Sequence, residues 1–214
     1  LSEAIFEVLP TSAFSSLPYL YDVKLPEGLL SIGESAFLNT RIQHIDIPST
    51  VTSIGKSAFS QTPIQTITFA ENAQLHSIGY QAFYKCSRMK EFIMPNTVKG
   101  LGYSNYRSEC FYECTALETL HFSGSITLIP DYTCYKCSNL KDLSLPKMLT
   151  AIWDYAFYNN AQLRHVVFPE TTTSIYPYAF HNCVLDTAKL PIHLTYLGEY
   201  AFSNCDSLRY IESP

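Results

Sequence analysis

Apolar residues recur along the chain as two short runs that alternate with polar and turn-forming residues. The first run follows the pattern L-x-x-L-x-L-P, as in residues 140–146, and its last apolar positions alternate with polar ones. That two-residue alternation is the period of a strand with one buried face. The second run is an apolar pair, as in Leu149 and Ile152, and an Ala-Phe dipeptide follows it. The pattern therefore predicts one short strand in each repeat.

The Ala-Phe dipeptide sets the period of the repeat. Its copies are Ala13-Phe14, Ala36-Phe37, Ala58-Phe59, Ala82-Phe83, Ala156-Phe157, Ala179-Phe180 and Ala201-Phe202, and Cys110-Phe111 and Thr133-Cys134 occupy the same register. The second residue of each dipeptide is here named the Phe register position. Successive Phe register positions are 23, 22, 24, 28, 23, 23, 23 and 22 residues apart. Units of this length stack on their neighbours because one unit cannot bury its apolar edge alone. The spacing predicts a solenoid of about nine rungs, most of them 22–24 residues long.

The strands are expected to form a parallel β-sheet on the concave face of this solenoid. Proline directly after a strand ends the pairing because it cannot donate to a ladder. Glycine after the second apolar pair, as at Gly55, is expected to take a turn conformation. The segment around each Ala-Phe is too short for a long helix, so short helical turns or irregular arcs are expected on the convex face.

One spacing of 28 residues indicates an insertion of about five residues within 103–107. A loop on one rung tolerates such an insertion at small cost, so it marks no domain boundary. We expect residues 1–214 to form a single repeat domain. Because the sequence begins without Met and ends within the pattern, we also expect it to be a segment of a longer protein.

The consensus L-x-x-I-x-I-P-x-x-V-x-x-I-G-x-x-A-F-x-x-C is nearly intact from Ile42 to Phe59 and from Met89 to Leu101. It resembles the Treponema pallidum-type leucine-rich repeats of the BspA-like family, and the resemblance covers essentially the whole chain. The resemblance implies a leucine-rich-repeat solenoid in a cell-surface or secreted protein that adheres to host proteins or to other cells. It supplies no shared set of binding residues. The chain departs from the consensus at Thr133-Cys134 and at the insertion near Tyr103.

Composition narrows the classes of partner. Only 15% of the residues are charged, the net charge is −5 and the isoelectric point is about 5.6, so nucleic acid is not expected as a partner. The apolar stretches are far shorter than the roughly 20 residues needed to cross a bilayer, so no membrane insertion by this segment is expected. We expect a monomer that binds a protein or glycan ligand.

Four cysteines have a spacing close to that of a zinc ribbon: Cys110, Cys114, Cys134 and Cys137. Two of them, however, fall three residues after the Phe register, where Cys86, Cys183 and Cys205 also fall. The repeat therefore favours a structural role for these cysteines over a metal site. A disulfide between Cys110 and Cys134, on adjacent rungs, stays open. No nucleophile elbow, phosphate loop or metalloprotease motif is present, so we expect no catalytic residues, metal or cofactor.

Strand alternation turns one set of side chains outward on the concave face. The set is Asp22, Lys24, His44, Asp46, Thr66, Thr68, Glu91, Ile93, Thr119, His121, Asp142, Ser144, His165, Val167, Thr187, Lys189, Tyr210 and Glu212. All of these except Lys24, Val167 and Glu212 are taken as candidate binding residues. The face is mixed and polar, which suits recognition of a protein or glycan by shape and hydrogen bonds. The alternative interpretation is a plain solvated sheet face.

Tyrosines concentrate at two register positions. Tyr84, Tyr112, Tyr135 and Tyr158 follow the Phe register by one residue, and Tyr132, Tyr155, Tyr178 and Tyr200 precede it by two. Tyrosine is enriched at interfaces, so the first set is an alternative, convex binding site. The competing interpretation is that these rings only cover the Phe row.

The functional hypothesis for the whole chain is a non-catalytic adhesion module, and the alternative is a structural spacer that projects a neighbouring domain.

Overall fold

The rungs stack through two sets of parallel strands, one of two-residue strands and one of longer strands, and the longer set is absent at residues 20–25 and 165–167. The computed structural model describes residues 6–102 and 104–212. Tyr103, the first residue of the predicted insertion, and both ends of the predicted 1–214 domain lie outside the described residues. The strands are β1 (Val8–Leu9), β2 (Ser31–Ile32), β3 (His44–Ile47), β4 (Ser53–Ile54), β5 (Thr66–Phe69), β6 (Ser77–Ile78), β7 (Glu91–Ile93), β8 (Gly100–Leu101), β9 (Thr119–His121), β10 (Leu128–Ile129), β11 (Asp142–Ser144), β12 (Ala151–Ile152), β13 (Ser174–Ile175), β14 (Thr187–Lys189), β15 (Tyr196–Leu197) and β16 (Tyr210–Glu212).

The longer strands come from the L-x-x-L-x-L run, as predicted. They pair in parallel as β3-β5, β7-β9-β11 and β14-β16, and equivalent residues face each other: Leu120 pairs with both Phe92 and Leu143. Where proline follows the strand, the turn is closed at it: the Val51 N–H donates to the Pro48 carbonyl at 3.2 Å, while Ala70 and Ser123 take this position after β5 and β9. The solenoid of about nine rungs with a parallel sheet on one face is confirmed.

A second ladder corrects the expectation of one strand per rung. The last residue of the second apolar pair and the residue before it form a two-residue strand in each rung, in the order β1-β2-β4-β6-β8 and, beyond the insertion, β10-β12-β13-β15. Isoleucine pairs with isoleucine in this ladder, as Ile54 does with Ile32 and Ile78. Two residues are too few to show an alternating pattern, so the sequence could not distinguish this strand from a loop.

The Ala-Phe arc consists of hydrogen-bonded turns, and no helix occurs among residues 6–102 and 104–212. Non-glycine residues with positive φ flank each Phe register position, as at Ser35 (φ 54°) and Asn39 (φ 54°). Between them the arc bonds to the next rung: the Phe37 N–H donates to the Ala58 carbonyl at 2.8 Å. The inter-rung hydrogen bonds therefore run through the arc as well as through both ladders.

Gly55 begins a turn, since its carbonyl accepts the Ala58 N–H at 3.3 Å, but its φ is not positive and the turn does not itself require glycine. Its backbone instead lies against the previous rung. A Cβ at this position would be only 2.7 Å from the backbone N of Glu34, so the constraint is close approach between rungs.

Aromatic rings from the Phe register stack into a buried column. Centroids of Phe37, Phe59, Phe83 and Phe111 are 5.3–5.7 Å apart, with interplanar angles of 2–9°. The column is interrupted where Cys134 replaces the ring. Phe122, from the strand that follows Phe111, packs edge-on against Phe157 at 6.4 Å and is itself 6% exposed. Phe168 packs edge-on against Phe202 in the same way, at 6.2 Å, where the ring of Phe180 is present between them in the column, so this contact is a regular feature of the repeat.

The cysteines three residues after the Phe register form a column of thiol hydrogen bonds. Each donates to the carbonyl of the register residue on the preceding rung: Cys86 to Phe59, Cys114 to Phe83, Cys137 to Phe111, Cys183 to Phe157 and Cys205 to Phe180, at 3.0–3.3 Å. Where threonine takes this position, as at Thr40, the hydroxyl donates to the carbonyl of its own rung. The seven cysteines are free, buried thiols, and Cys110 and Cys134 are not joined. Burial raises the pKa of the Cys86 thiol to about 12.

The insertion folds back onto the arc of later rungs. The Asp131 backbone accepts a hydrogen bond from the Ser108 N–H (3.0 Å) and donates one to the Tyr106 carbonyl (3.1 Å). The Tyr106 ring lies 5.5 Å from that of Trp153. The Asp131 carboxylate, held under this loop, accepts the Asp154 N–H at 2.9 Å. Burial, and then the charge of Asp154, raise the pKa of Asp131 to about 6.

Restoring the missing ring by Cys134→Phe is expected to destabilise the protein by about 1–3 kcal/mol, because Cys134 is fully buried and the added ring overpacks the core. Urea unfolding measures the change. Combining Cys134→Phe with Phe122→Leu should recover part of the loss. If the Cys134→Phe variant is as stable as the wild type, the core has room for the added ring and the prediction is wrong.

Asp131→Asn is expected to raise the melting temperature near neutral pH. The folded pKa of about 6 lies above the usual value near 3.8, so the native state binds the extra proton and loses stability as pH rises through about 6. The neutral amide retains an acceptor for the Asp154 N–H without that penalty. Because Asp131 is half-buried, we discount the shift and expect about 2–4 °C at pH 7.5, shrinking towards zero near pH 4. Thermal melts across this pH range test it, with exposed Asp22→Asn as control, and an equal gain at every pH would contradict it.

Candidate binding surfaces

The outward side chains of the longer strands form one polar surface, here named the strand face. The structure places each of the 18 residues that the alternation turned outward at this surface: Thr119 and His121 are half-buried, and the other 16 are exposed. Residues 20–25 and 165–167 hold the equivalent positions without strand geometry. The orientation predicted for this set is confirmed, while its role in binding stays a prediction.

Polar residues on the strand face are tied together across neighbouring rungs. The Thr68 hydroxyl donates to Asp46, and His44 is hydrogen-bonded to Thr66. Farther along, His121 Nε2 lies 3.3 Å from the Asp142 carboxylate. These bonds hold the side chains in fixed columns, so a ligand would meet an ordered array of donors and acceptors.

Exposed apolar side chains interrupt this polar array. Ile93 is 46% exposed, Val167 84% and Tyr210 61%. Their partners across the sheet are polar: Ile93 pairs with His121 and Tyr210 with Thr187. Val167 was left out of the predicted binding residues although the alternation turned it outward. An apolar side chain on an otherwise polar face is the signal by which the sequence could have added Val167 to the candidate binding residues.

Breaks in the long-strand ladder coincide with depressions in the strand face. Between β5 and β7 the spacing lengthens to 24 residues, and a cleft of about 1010 Å³ opens there, lined by Thr68, Ile93 and His121 among others. At the second break, depressions of about 450 and 400 Å³ both reach Val167. The two most irregular parts of the strand face therefore each combine an exposed apolar residue with polar neighbours.

The tyrosines stack in two parallel rows along the arc. In the first row, Tyr84, Tyr112, Tyr135, Tyr158 and His181 have centroids 4.8–5.1 Å apart. In the second row, Tyr132, Tyr155, Tyr178 and Tyr200 are 4.8–4.9 Å apart. His181 was missed in the sequence, although it holds the register position of the first row. The guanidinium of Arg107, from the insertion, lies 4.1 Å over the Tyr132 ring at the start of the second row.

Stacking determines what these rows can offer a ligand. The face of each inner ring is covered by its neighbours, so ring edges and hydroxyls point outward. Burial, followed by the charge of Glu113, raises the pKa of Tyr112 to about 12. All four tyrosines of the second row have positive φ, between 56° and 59°, which is costly for a bulky residue. The rows therefore present ring edges and hydroxyls, and the second row combines stacked rings with a backbone conformation that is costly for tyrosine.

Neither surface gathers groups suited to holding a metal. Among residues 6–102 and 104–212, no cluster of three histidine, cysteine or acidic side chains could bind an ion. In the same part of the chain, no helix is long and apolar enough to cross a membrane.

Solved structures of bacterial proteins share this fold. A leucine-rich repeat protein from Bacteroides ovatus is 23% identical with a TM-score of 0.77, and the match covers 97% of this chain and 64% of that one. A leucine-rich repeat protein from T. pallidum is 20% identical with a TM-score of 0.65, over 85% and 73%. A leucine-rich cell surface protein from Faecalibacterium prausnitzii is 24% identical with a TM-score of 0.56, over 86% and 43%. The chain thus spans less than two thirds of the Bacteroides and Faecalibacterium proteins.

No curated protein matches the chain. The sequence profile of the BspA-type leucine-rich repeat region, in six copies, matches residues 7–127 and 104–209. This match covers most of the chain and agrees with the repeat in both ladders. The chain therefore belongs to the BspA-type leucine-rich repeat family.

Proposed function

We propose that the chain is a non-catalytic binding module of a cell-surface or secreted protein, and that it adheres to host proteins, glycans or other cells through the strand face. The observation that carries this proposal is the ordered polar array of that face with exposed apolar residues at its two irregular sites. Interfaces typically combine a few apolar anchors with a surrounding of satisfied polar groups.

The electrostatics of the strand face suit a mixed rather than a strongly charged ligand. Carboxylates such as Asp46 and Asp142 alternate with His121, Lys189 and hydroxyl groups. Specificity would then come from the positions of donors and acceptors, and affinity from burial of Ile93, Val167 and Tyr210. An open face of this kind lacks the enclosed, water-excluding pocket that catalysis favours, which supports a binding role.

The proposed location outside the cell rests on similarity. The F. prausnitzii structure with this fold belongs to a protein named as a cell surface protein. Family membership supports the same placement.

The proposal is tested by replacing the two apolar anchors with acids, in Ile93→Asp combined with Val167→Asp. Loss of both anchors is expected to weaken binding by at least about tenfold, since buried apolar anchors dominate interface energies. Binding of the purified chain to extracellular-matrix proteins, mucin and whole epithelial cells is measured by biolayer interferometry and flow cytometry. The matched control is Met148→Asp combined with Ile192→Asp, two residues 56% and 58% exposed outside the set of outward strand residues.

Equal binding by the two double variants would remove the strand face from the proposal. A loss confined to a Tyr84, Tyr112, Tyr135 and Tyr158 to Ser variant would move the site to the first tyrosine row. If the folded wild type is retained on none of these targets, the adhesion proposal is wrong and the spacer alternative replaces it.

A further inference from the structure

A polar cleft of about 620 Å³ lies on the flank of the first four rungs, away from the anchors of the strand face and from most of the tyrosine rows. It is lined by the segments that connect the arc of each rung to its long strand. Its size falls within the range of small-ligand sites, which is about 300–1,000 Å³.

The cleft exists because two successive connections are one residue short. In rungs one and four, two residues separate the register positions Leu17 and Cys86 from the next apolar residue. In rungs two and three, only Arg41 and only Pro63 stand in that interval. The short connections lie between the longer ones along the stack, which would make them the floor of the cleft and the longer ones its walls. Rung one to rung four is three steps of about 4.8 Å, so the floor is roughly 14 Å long.

Cations and amides line this cleft, and none of its described lining residues is acidic. Arg41 lies on the floor and Arg88 on one wall, and neither forms an ion pair within the described part of the chain. Lys85 also lines the cleft, but it is paired with Glu113 at 3.4 Å. In a chain of net charge −5, this is a local concentration of unpaired positive charge.

Two exposed tyrosines form the opposite side of the cleft. Tyr19 is 84% exposed and Tyr21 is 54% exposed, unlike the half-buried inner rings of the tyrosine rows. A free ring face can pack against the C–H face of a sugar, while amides such as Gln43 and Gln61 can bind its hydroxyls. Guanidinium groups match the planar geometry of a carboxylate and bind it with two hydrogen bonds.

We propose that this cleft binds an acidic oligosaccharide, with uronate carboxylates on Arg41 and Arg88 and sugar rings on Tyr19 and Tyr21. The site is separate from the strand face and names a ligand class for a second surface. It does not depend on the adhesion proposal, because the Ile93→Asp and Val167→Asp variant should bind the saccharide as the wild type does.

The experiment uses isothermal titration calorimetry of the whole chain with oligogalacturonate, a neutral maltooligosaccharide of equal length, a heparin oligosaccharide and oligoglutamate. Oligogalacturonate should bind at least about tenfold more tightly than the other three. Arg41→Gln with Arg88→Gln, and separately Tyr19→Ser with Tyr21→Ser, should each weaken it by about tenfold or more. Lys99→Gln with Arg209→Gln removes two exposed cations elsewhere and should leave binding unchanged.

A second variant tests shape without removing charge. Inserting one serine after Arg41 and one after Pro63 gives rungs two and three the longer connection, which should fill the floor and abolish binding. Circular dichroism checks that each variant folds.

Several results would overturn the proposal. Tight binding of the neutral sugar, or equal loss in the Lys99 and Arg209 control, would remove the role of the two arginines. A preference for heparin would assign the cleft to sulfate groups, and a preference for oligoglutamate would assign it to acidic protein segments. No heat of binding with any of the four probes would leave the cleft without a ligand of this class.

Discussion

The inter-rung hydrogen bond is the interaction on which the rest of this structure depends. Backbone N–H groups of one rung meet carbonyls of the next in the long strands, in the short strands and around the arc. Because the bond fixes the step between rungs at about 4.8 Å, residues at one register position must stack directly over each other. The Phe column, the thiol column and both tyrosine rows follow from this one spacing. Side-chain identity decides only what each column contains.

Features that could bind a ligand arise where the repeat is irregular. Two additional residues in one rung open the strand face beside Ile93, and two missing residues open the flank at Arg41. The insertion adds Tyr106 and Arg107 to the start of a tyrosine row. A regular stack provides stability along its length, so single-residue changes in connection length alter the surface without disturbing the columns. The surface can therefore vary while the core is maintained.

The sequence predicted the rungs, the buried columns and the outward residues, because periodicity reports directly on burial. It could not predict the second ladder, since two residues such as Ser53 and Ile54 carry no alternation. It also gave no indication of the edge-on contacts that Phe122 and Phe168, from the end of the long-strand run, make with the Phe column. The docking of the insertion depends on Trp153, which is distant in sequence. A repeat pattern thus leaves undetermined the contacts between non-equivalent positions. It also leaves undetermined the clefts, which form where neighbouring rungs differ in length.

The thiol column has a consequence for oxidative chemistry. In a protein outside the cell, the location proposed for this chain, an odd number of cysteines would ordinarily invite mispaired disulfides. Here each thiol is buried, and burial raises the pKa of groups such as Cys86 and Cys114, so the thiolate that attacks a disulfide is scarce. The folded chain therefore needs no oxidant to reach its native state and resists one afterwards. Its sensitivity to oxidants is therefore greatest before neighbouring rungs close over the thiols.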